Sequence, residues 1–200
     1  MIATASRTAV VNEITQVVRT ACTQDSNVFG YGIWTHHIVP VVQYSKILAR
    51  INSADEEIVE IAALLHDYAG VKDVAMYPEH HIYGSLEAEQ LLQQLRYPQD
   101  RIDAVKHCIV THRASVAAHR MSIEAQCLAD ADAMAHITQV PSLMRMVYVE
   151  RGLDIDAGTR WVRAKLQRSW HKLSPEAQMM IREQYEAVLK TLTVATSDAA

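Results

Sequence analysis

The strongest constraint on how this chain folds is the spacing of its apolar residues, which recur at three- and four-residue intervals along most of its length. Only 6 glycines and 5 prolines punctuate the 200 residues, so breakers are few. Ala9, Val10, Ile14, Val17, Val18 and Ala21 stripe a first helix. A polar, glycine-containing loop follows at about 25–32. A second helix starts near Thr35 and carries Ile38, Val41, Val42, Ser45, Leu48 and Ile51. The run Ser53-Ala-Asp-Glu56 reads as a capping box for a third helix, whose apolar positions Ile58, Ile61, Ala62 and Leu65 lead straight into His66-Asp67. Residues 68–79 break the pattern and read as a connection. Further helices are expected through 85–96, from Pro98 to about 111, over 122–137, from Pro141 to before Gly152, over 157–172, and from the cap Ser174-Pro175-Glu176 to near Leu192. The stretch 154–158 is a weak boundary, and the tail from Ser197 is expected to fray. With no strand, repeat or linker pattern, the expectation is an all-α single domain over 1–200, a bundle of about nine helices.

Half of the residues are hydrophobic and 21% are charged, an ordinary globular balance. A net charge of −4 gives no bulk attraction for a nucleic acid polymer or an anionic membrane. The 3 cysteines, Cys22, Cys108 and Cys127, lack CxxC spacing and read as small apolar core residues in a reducing compartment. The start of the chain lacks a basic segment followed by an apolar stretch, and no apolar run approaches the roughly 20 residues of a spanning helix. A cytoplasmic protein is expected. The methionines of Leu143-Met-Arg-Met and Met179-Met180 suit either a homodimer surface or core packing.

Against this plain background, 10 histidines accompany a single phenylalanine. Four positions stand out: His37 near the start of the second helix, His66-Asp67 closing the third, and Asp132 within the sixth. Imidazole nitrogens and carboxylate oxygens suit a hard or borderline divalent cation, and two of each leave coordination positions open. The His-Asp pair ends a strongly apolar face, where burial without partners costs several kcal/mol. His36 rivals His37, and Asp130 rivals Asp132 from another face of its helix. Lys72 and Arg113 lie close enough in sequence to the ligand candidates to clamp a phosphate, or to be solvated loop residues. Trp34, Tyr68 and Tyr83 suit a pocket wall or the core.

Thr35-His-His-Ile-Val-Pro-Val-Val, Ala62-Ala-Leu-Leu-His-Asp and Leu128-Ala-Asp-Ala-Asp-Ala-Met, in that order, resemble the H…HD…D signature of the HD superfamily. The resemblance runs over about 33–138 and leaves a helical extension at about 141–193. It implies an HD-type helical domain in which His37, His66, Asp67 and Asp132 bind the metal, with Asp130 in a supporting or capping role. The metal would be divalent: Mn, Mg, Fe, Co, Ni or Zn. His81 and His112 match positions where two-metal members place extra ligands, and His107 lies five residues before His112. His80, His119, His136 and His171 are expected at the surface or in local packing. The implied activity is phosphoester hydrolysis by a metal-activated water, with Asp67 orienting that water and His81 or His112 assisting the leaving group. The implied partner is a small phosphorylated molecule or nucleotide. The sequence Tyr-Ala-Gly-Val-Lys after the HD pair, with no GYP tripeptide, argues against a cyclic dinucleotide phosphodiesterase. The absence of a P-loop argues against ATP-driven chemistry. A diiron HD-type oxygenase and a non-catalytic metal- or nucleotide-binding sensor are the alternatives.

Overall fold

The structure, a computed structural model, describes residues 7–113 and 120–193. Helix α7, Ile123–Thr138, forms the axis around which the others pack. Five alanines (Ala125, Ala129, Ala131, Ala133 and Ala135) are all buried, and small side chains let neighbouring helices approach on every side. A helix buried along most of its length has no solvent face to keep, even with Asp130 and Asp132 on it. α2 (Val39–Ile51), α3 (Glu56–Leu65) and α6 (Gln99–Thr111) pack on it. α9 (Ile155–Lys172) and α10 (Pro175–Thr191) also pack on it. α1 (Arg7–Cys22) covers α3, and α5 (His80–Gln94) lies along α6. Trp170 of α9 stacks on Tyr185 of α10, with centroids 4.2 Å apart.

All described regular structure is helical, as the apolar spacing predicts. The differences lie at the ends of elements. Residues 68–79, expected as a connection, form the short helix α4 (Tyr68–Lys72) and a 3-10 turn, Val74–Glu79. The cap of α3 is Asp55 rather than Ser53. The Asp55 carboxylate accepts from the Glu57 and Ile58 amides, whereas Ser53 is held at φ 56° in the preceding turn. The expected cap Ser174 accepts from the Ala177 amide, and Ser122, at the start of α7, accepts from the Ala125 amide. His119 and the tail from Ser197 lie outside the described residues.

Two π-turns shape the region around the site. The first, Trp34–Ile38, runs without a break into α2, and the Val39 amide donates to the Trp34 carbonyl. Pro40 follows at the start of α2, where its missing N–H and its ring would disturb a regular helix. A widened turn is one way to accommodate both, and such turns gather at functional sites. The second, Met146–Glu150, follows α8 (Val140–Arg145). Its Tyr148 ring lies on the buried Gly158 of α9, and its hydroxyl reaches the Ile155 carbonyl and Thr159 Oγ1. A Cβ at Gly158 would fall inside the van der Waals envelope of Tyr148 Cε1. Gly158→Ala should therefore unseat this turn from α9 and cost about 1–3 kcal/mol, despite the better helix propensity of alanine. A urea titration giving an unchanged midpoint would contradict this packing.

Candidate functional site

Three imidazoles reach the same point by one local device. The Nδ1–H of His66 donates to the Ala63 carbonyl at 2.8 Å, that of His80 to Tyr77 at 2.8 Å, and that of His112 to Ile109 at 2.6 Å. A carbonyl only accepts, so Nδ1 carries the proton and the lone pair of each ring sits on Nε2. Those Nε2 atoms point inward. His66 Nε2 is 3.1 Å from His37 Nε2, and His80 Nε2 is 3.3 Å from His112 Nε2. His80 and His112 thus turn two acceptor nitrogens toward each other, which repel unless a proton or a cation lies between them, whereas no carbonyl fixes the tautomer of His37.

Asp67 joins the two pairs. Its Oδ2 is 3.1 Å from His37 Nε2 and 3.4 Å from His66 Nε2, while Oδ1 is 3.3 Å from His80 Nε2. Asp132 Oδ1 stands 3.7 Å from His37 Nε2 and 3.2 Å from His136 Nε2. Two triads result, His37–His66–Asp132 and Asp67–His80–His112, each with ligand atoms within 4.8 Å of one another. Burial raises the carboxyl pKa at both aspartates, but the surrounding charges win. His66, His37 and His80 hold Asp67 well below the usual carboxylate range, and Lys172 and His136 do the same for Asp132. His112 is held far below its ordinary value by burial and by His66, and His136 falls to about 3 through burial and Lys165. Burial pulls His66 down, yet Asp67 pushes it up to about 9, so a cation there competes with a proton. Ionised carboxylates and converging imidazole nitrogens, three of them on rings whose tautomer a carbonyl fixes, are the donor set that a divalent cation needs, and the carbonyl-anchored Nδ1 groups are its usual support. The residues fit a metal.

Of the expected ligands, the structure brings His37, His66, Asp67 and Asp132 together. The rival His36 is exposed and bonded to Thr35. Asp130 is buried but turned away, accepting from Gln126 and from the Ser174 amide at the start of α10. His112 joins the second triad. His81 does not: Nε2 lies 3.7 Å from Glu79, and its place is taken by His80, one residue earlier and about 100° around the helix. Lys72 is exposed and bound to both oxygens of Glu87, which corrects its expected place at the substrate. Arg113 lines the cavity and donates to the Pro78 carbonyl at 2.6 Å.

His136 was expected at the surface or in local packing. Instead its ring stacks on His37, with centroids 4.7 Å apart, and its spacing of four residues from Asp132 was the available signal. Lys172 gave no such signal. From the end of α9 its ammonium donates to Asp132 Oδ2 at 2.9 Å and to the His112 carbonyl at 2.6 Å.

Five of the six triad residues, all but the fully buried His66, form the floor of a cavity of ≈ 560 Å³. Its aromatic wall is Phe29, Tyr77 and Trp161 in place of Trp34, Tyr68 and Tyr83. Leu143 and Met146 also face it, so this methionine segment serves the cavity wall. No described helix is long and apolar enough to cross a membrane.

Comparison with known proteins agrees with this geometry. No curated protein matches the chain. Among solved structures, Bacillus subtilis YpgQ shares 23% identity, with 94% of each chain covered and a TM-score of 0.71. The Lin1889 protein of Listeria innocua shares 15%, with 94% of each chain covered and a TM-score of 0.70. A protein from an uncultured Thermotogales bacterium, described as a predicted HD superfamily hydrolase, shares 21% over 91% of this chain and 92% of its own, with a TM-score of 0.57. At these identities the likeness is one of fold. The family model of the HD domain matches residues 34–136, a span that holds all six triad residues. The chain belongs to the HD domain family.

Proposed function

We propose that this protein is a metal-dependent phosphohydrolase acting on a small phosphoester or nucleotide. The observation that carries the reading is the pair of His/Asp triads meeting at Asp67 on the floor of a solvent-reachable cavity with basic walls. His37, His66 and Asp132 would hold one divalent cation, and Asp67, His80 and His112 a second; Asp67 Oδ2 lies beside His37 and Oδ1 beside His80. A divalent cation supplies, when bound, neutralisation of phosphate charge and a more acidic water. The chain's own residues do the rest. Asp67, held ionised, would orient a water as a hydrogen-bond acceptor, its lowered pKa suiting it to that role and to a ligand rather than to a base. His112, neutral at ordinary pH, suits a ligand better than an acid. Arg113 stands at the wall for a phosphate oxygen. The Bacillus subtilis YpgQ structure in complex with ADP, with 93% of each chain covered and a TM-score of 0.70, supports a nucleotide as one substrate class to screen.

Metal analysis of the purified protein, followed by a phosphatase screen with each candidate cation, tests the reading directly. Chelation should abolish turnover and Mn²⁺ should restore it. Asp67→Asn and His66→Ala should each lower the rate by about a hundredfold or more. Full activity in either variant, with full metal content, would sink the proposal. An iron-dependent absorption band with oxygen uptake would point instead to a diiron oxygenase. Because a cation binds the folded state only, Mn²⁺ at about a hundred times its dissociation constant should add about 2.7 kcal/mol of stability. Thermal scans should show that gain in the wild type and lose most of it in Asp132→Asn.

A further inference from the structure

The cavity holds more positive charge than its floor can use. Arg113, Arg145, Arg151, Lys165 and Arg168 all line it. Three of the five are engaged by the protein itself. Arg113 donates to Pro78, Arg145 pairs with Glu150, and Arg151 lies over the Trp161 ring at 4.5 Å. Lys172, behind the floor, is held by Asp132 and the His112 carbonyl. Among the described residues, neither Lys165 nor Arg168 has a hydrogen-bond or ion-pair partner.

The register of α9 explains how these groups reach the cavity. Trp161, Lys165, Arg168 and Lys172 are spaced by four, three and four residues, which puts them on one face of the helix. The core face of the same helix is Gly158, Val162, Leu166 and Ser169. Lys165 is half-buried and feels the charges of Asp132 and Asp67, whereas Arg168 is exposed at the mouth. Along the face the order is Lys165, Arg168, Lys172: Lys172 lies against Asp132, Arg168 is exposed one turn before it, and the half-buried Lys165 follows one turn further toward the start of the helix. A half-buried ammonium without a partner carries a desolvation cost that an anionic ligand would offset.

We propose that Lys165, with Arg168 one turn beyond it, forms an anion site for a second phosphate group, so that the cavity prefers a di- or polyphosphate over a monophosphate. This rests on the phosphohydrolase reading only in taking the cavity as the substrate site. One phosphate over the triads is served by the floor and Arg113, and the two unpartnered cations line the same cavity. α9 lies outside residues 34–136, so the preference comes from the part of the chain beyond the family-matched segment.

The test is calorimetric titration of the full chain, freed of metal by a chelator, with inorganic pyrophosphate and with orthophosphate. The wild type should bind pyrophosphate more tightly than orthophosphate. Lys165→Met should weaken pyrophosphate binding by about tenfold or more, and Lys165→Arg should retain it. Arg168→Gln, a change at an exposed position, should weaken it by about threefold. Lys106→Met removes the same charge from a lysine paired with Glu89 and should leave binding unchanged. No preference for pyrophosphate in the wild type, or wild-type pyrophosphate binding in a folded Lys165→Met, overturns the proposal. If Lys165→Met does not fold, unchanged binding in Arg168→Gln overturns the pairing. Metal content and phosphatase activity are scored separately. Their absence, with the pyrophosphate preference intact, refutes the hydrolase reading and leaves the anion site standing.

Discussion

The structure is organised around a crowding of lone pairs. Four ring nitrogens, from His37, His66, His80 and His112, converge with carboxylate oxygens of Asp67 and Asp132 at a largely buried point beneath the cavity. Such groups are acceptors, and acceptors alone repel. Burying them is tolerable because most have a second attachment or a counter-charge, His37 Nδ1 being the ring nitrogen of the triads that finds no partner among the described residues. Three rings are pinned by carbonyls of their own helix turns, and Lys172 sits against Asp132. Removing one partner of a buried pair of this kind costs about 3–5 kcal/mol, because the other charge is left stranded. The folded chain therefore holds its ligands in place through its own hydrogen bonds.

That arrangement depends on where helices end. His66-Asp67 lies at the break between α3 and α4, His80 begins α5, and His112 follows the last turn of α6. At an end the backbone departs from strict helical period, so adjacent residues such as His66 and Asp67 can face the same point. Asp132 is the exception, from the middle of α7. It can be so because α7 is wrapped on all sides and one turn of it lies against the cavity floor. The alanines that make this wrapping close are as much a part of the site as the ligands.

Much of this was legible in the residues. Period-3.6 spacing marked the long helices, because burying an apolar stripe is what makes a helix pay in a globular chain. The order H…HD…D pointed to His37, His66, Asp67 and Asp132. What was not legible depends on angles that sequence spacing leaves open. His80 and His81 are neighbours, and only the start of α5, fixed by the 3-10 turn before it, decides which faces inward. Lys72 is close in sequence to Asp67 but points across to Glu87, since α4 and α5 pack side by side. Ser53 satisfies the spacing of a capping box, yet the turn it occupies leaves the cap to Asp55. Lys172 lies 40 residues from the carboxylate it neutralises, and no local pattern could connect them.

The bond between Lys172 and Asp132 has a consequence for where this domain ends. The family match closes at residue 136, whereas the ammonium facing Asp132 enters from the far end of α9. A fragment cut at the edge of the match would carry every triad residue and lack one of the charges that make their burial affordable. It would be complete as a motif and incomplete as an electrostatic unit. The functional boundary of such a chain is drawn by charge neutrality in its interior, and it lies well past the last ligand.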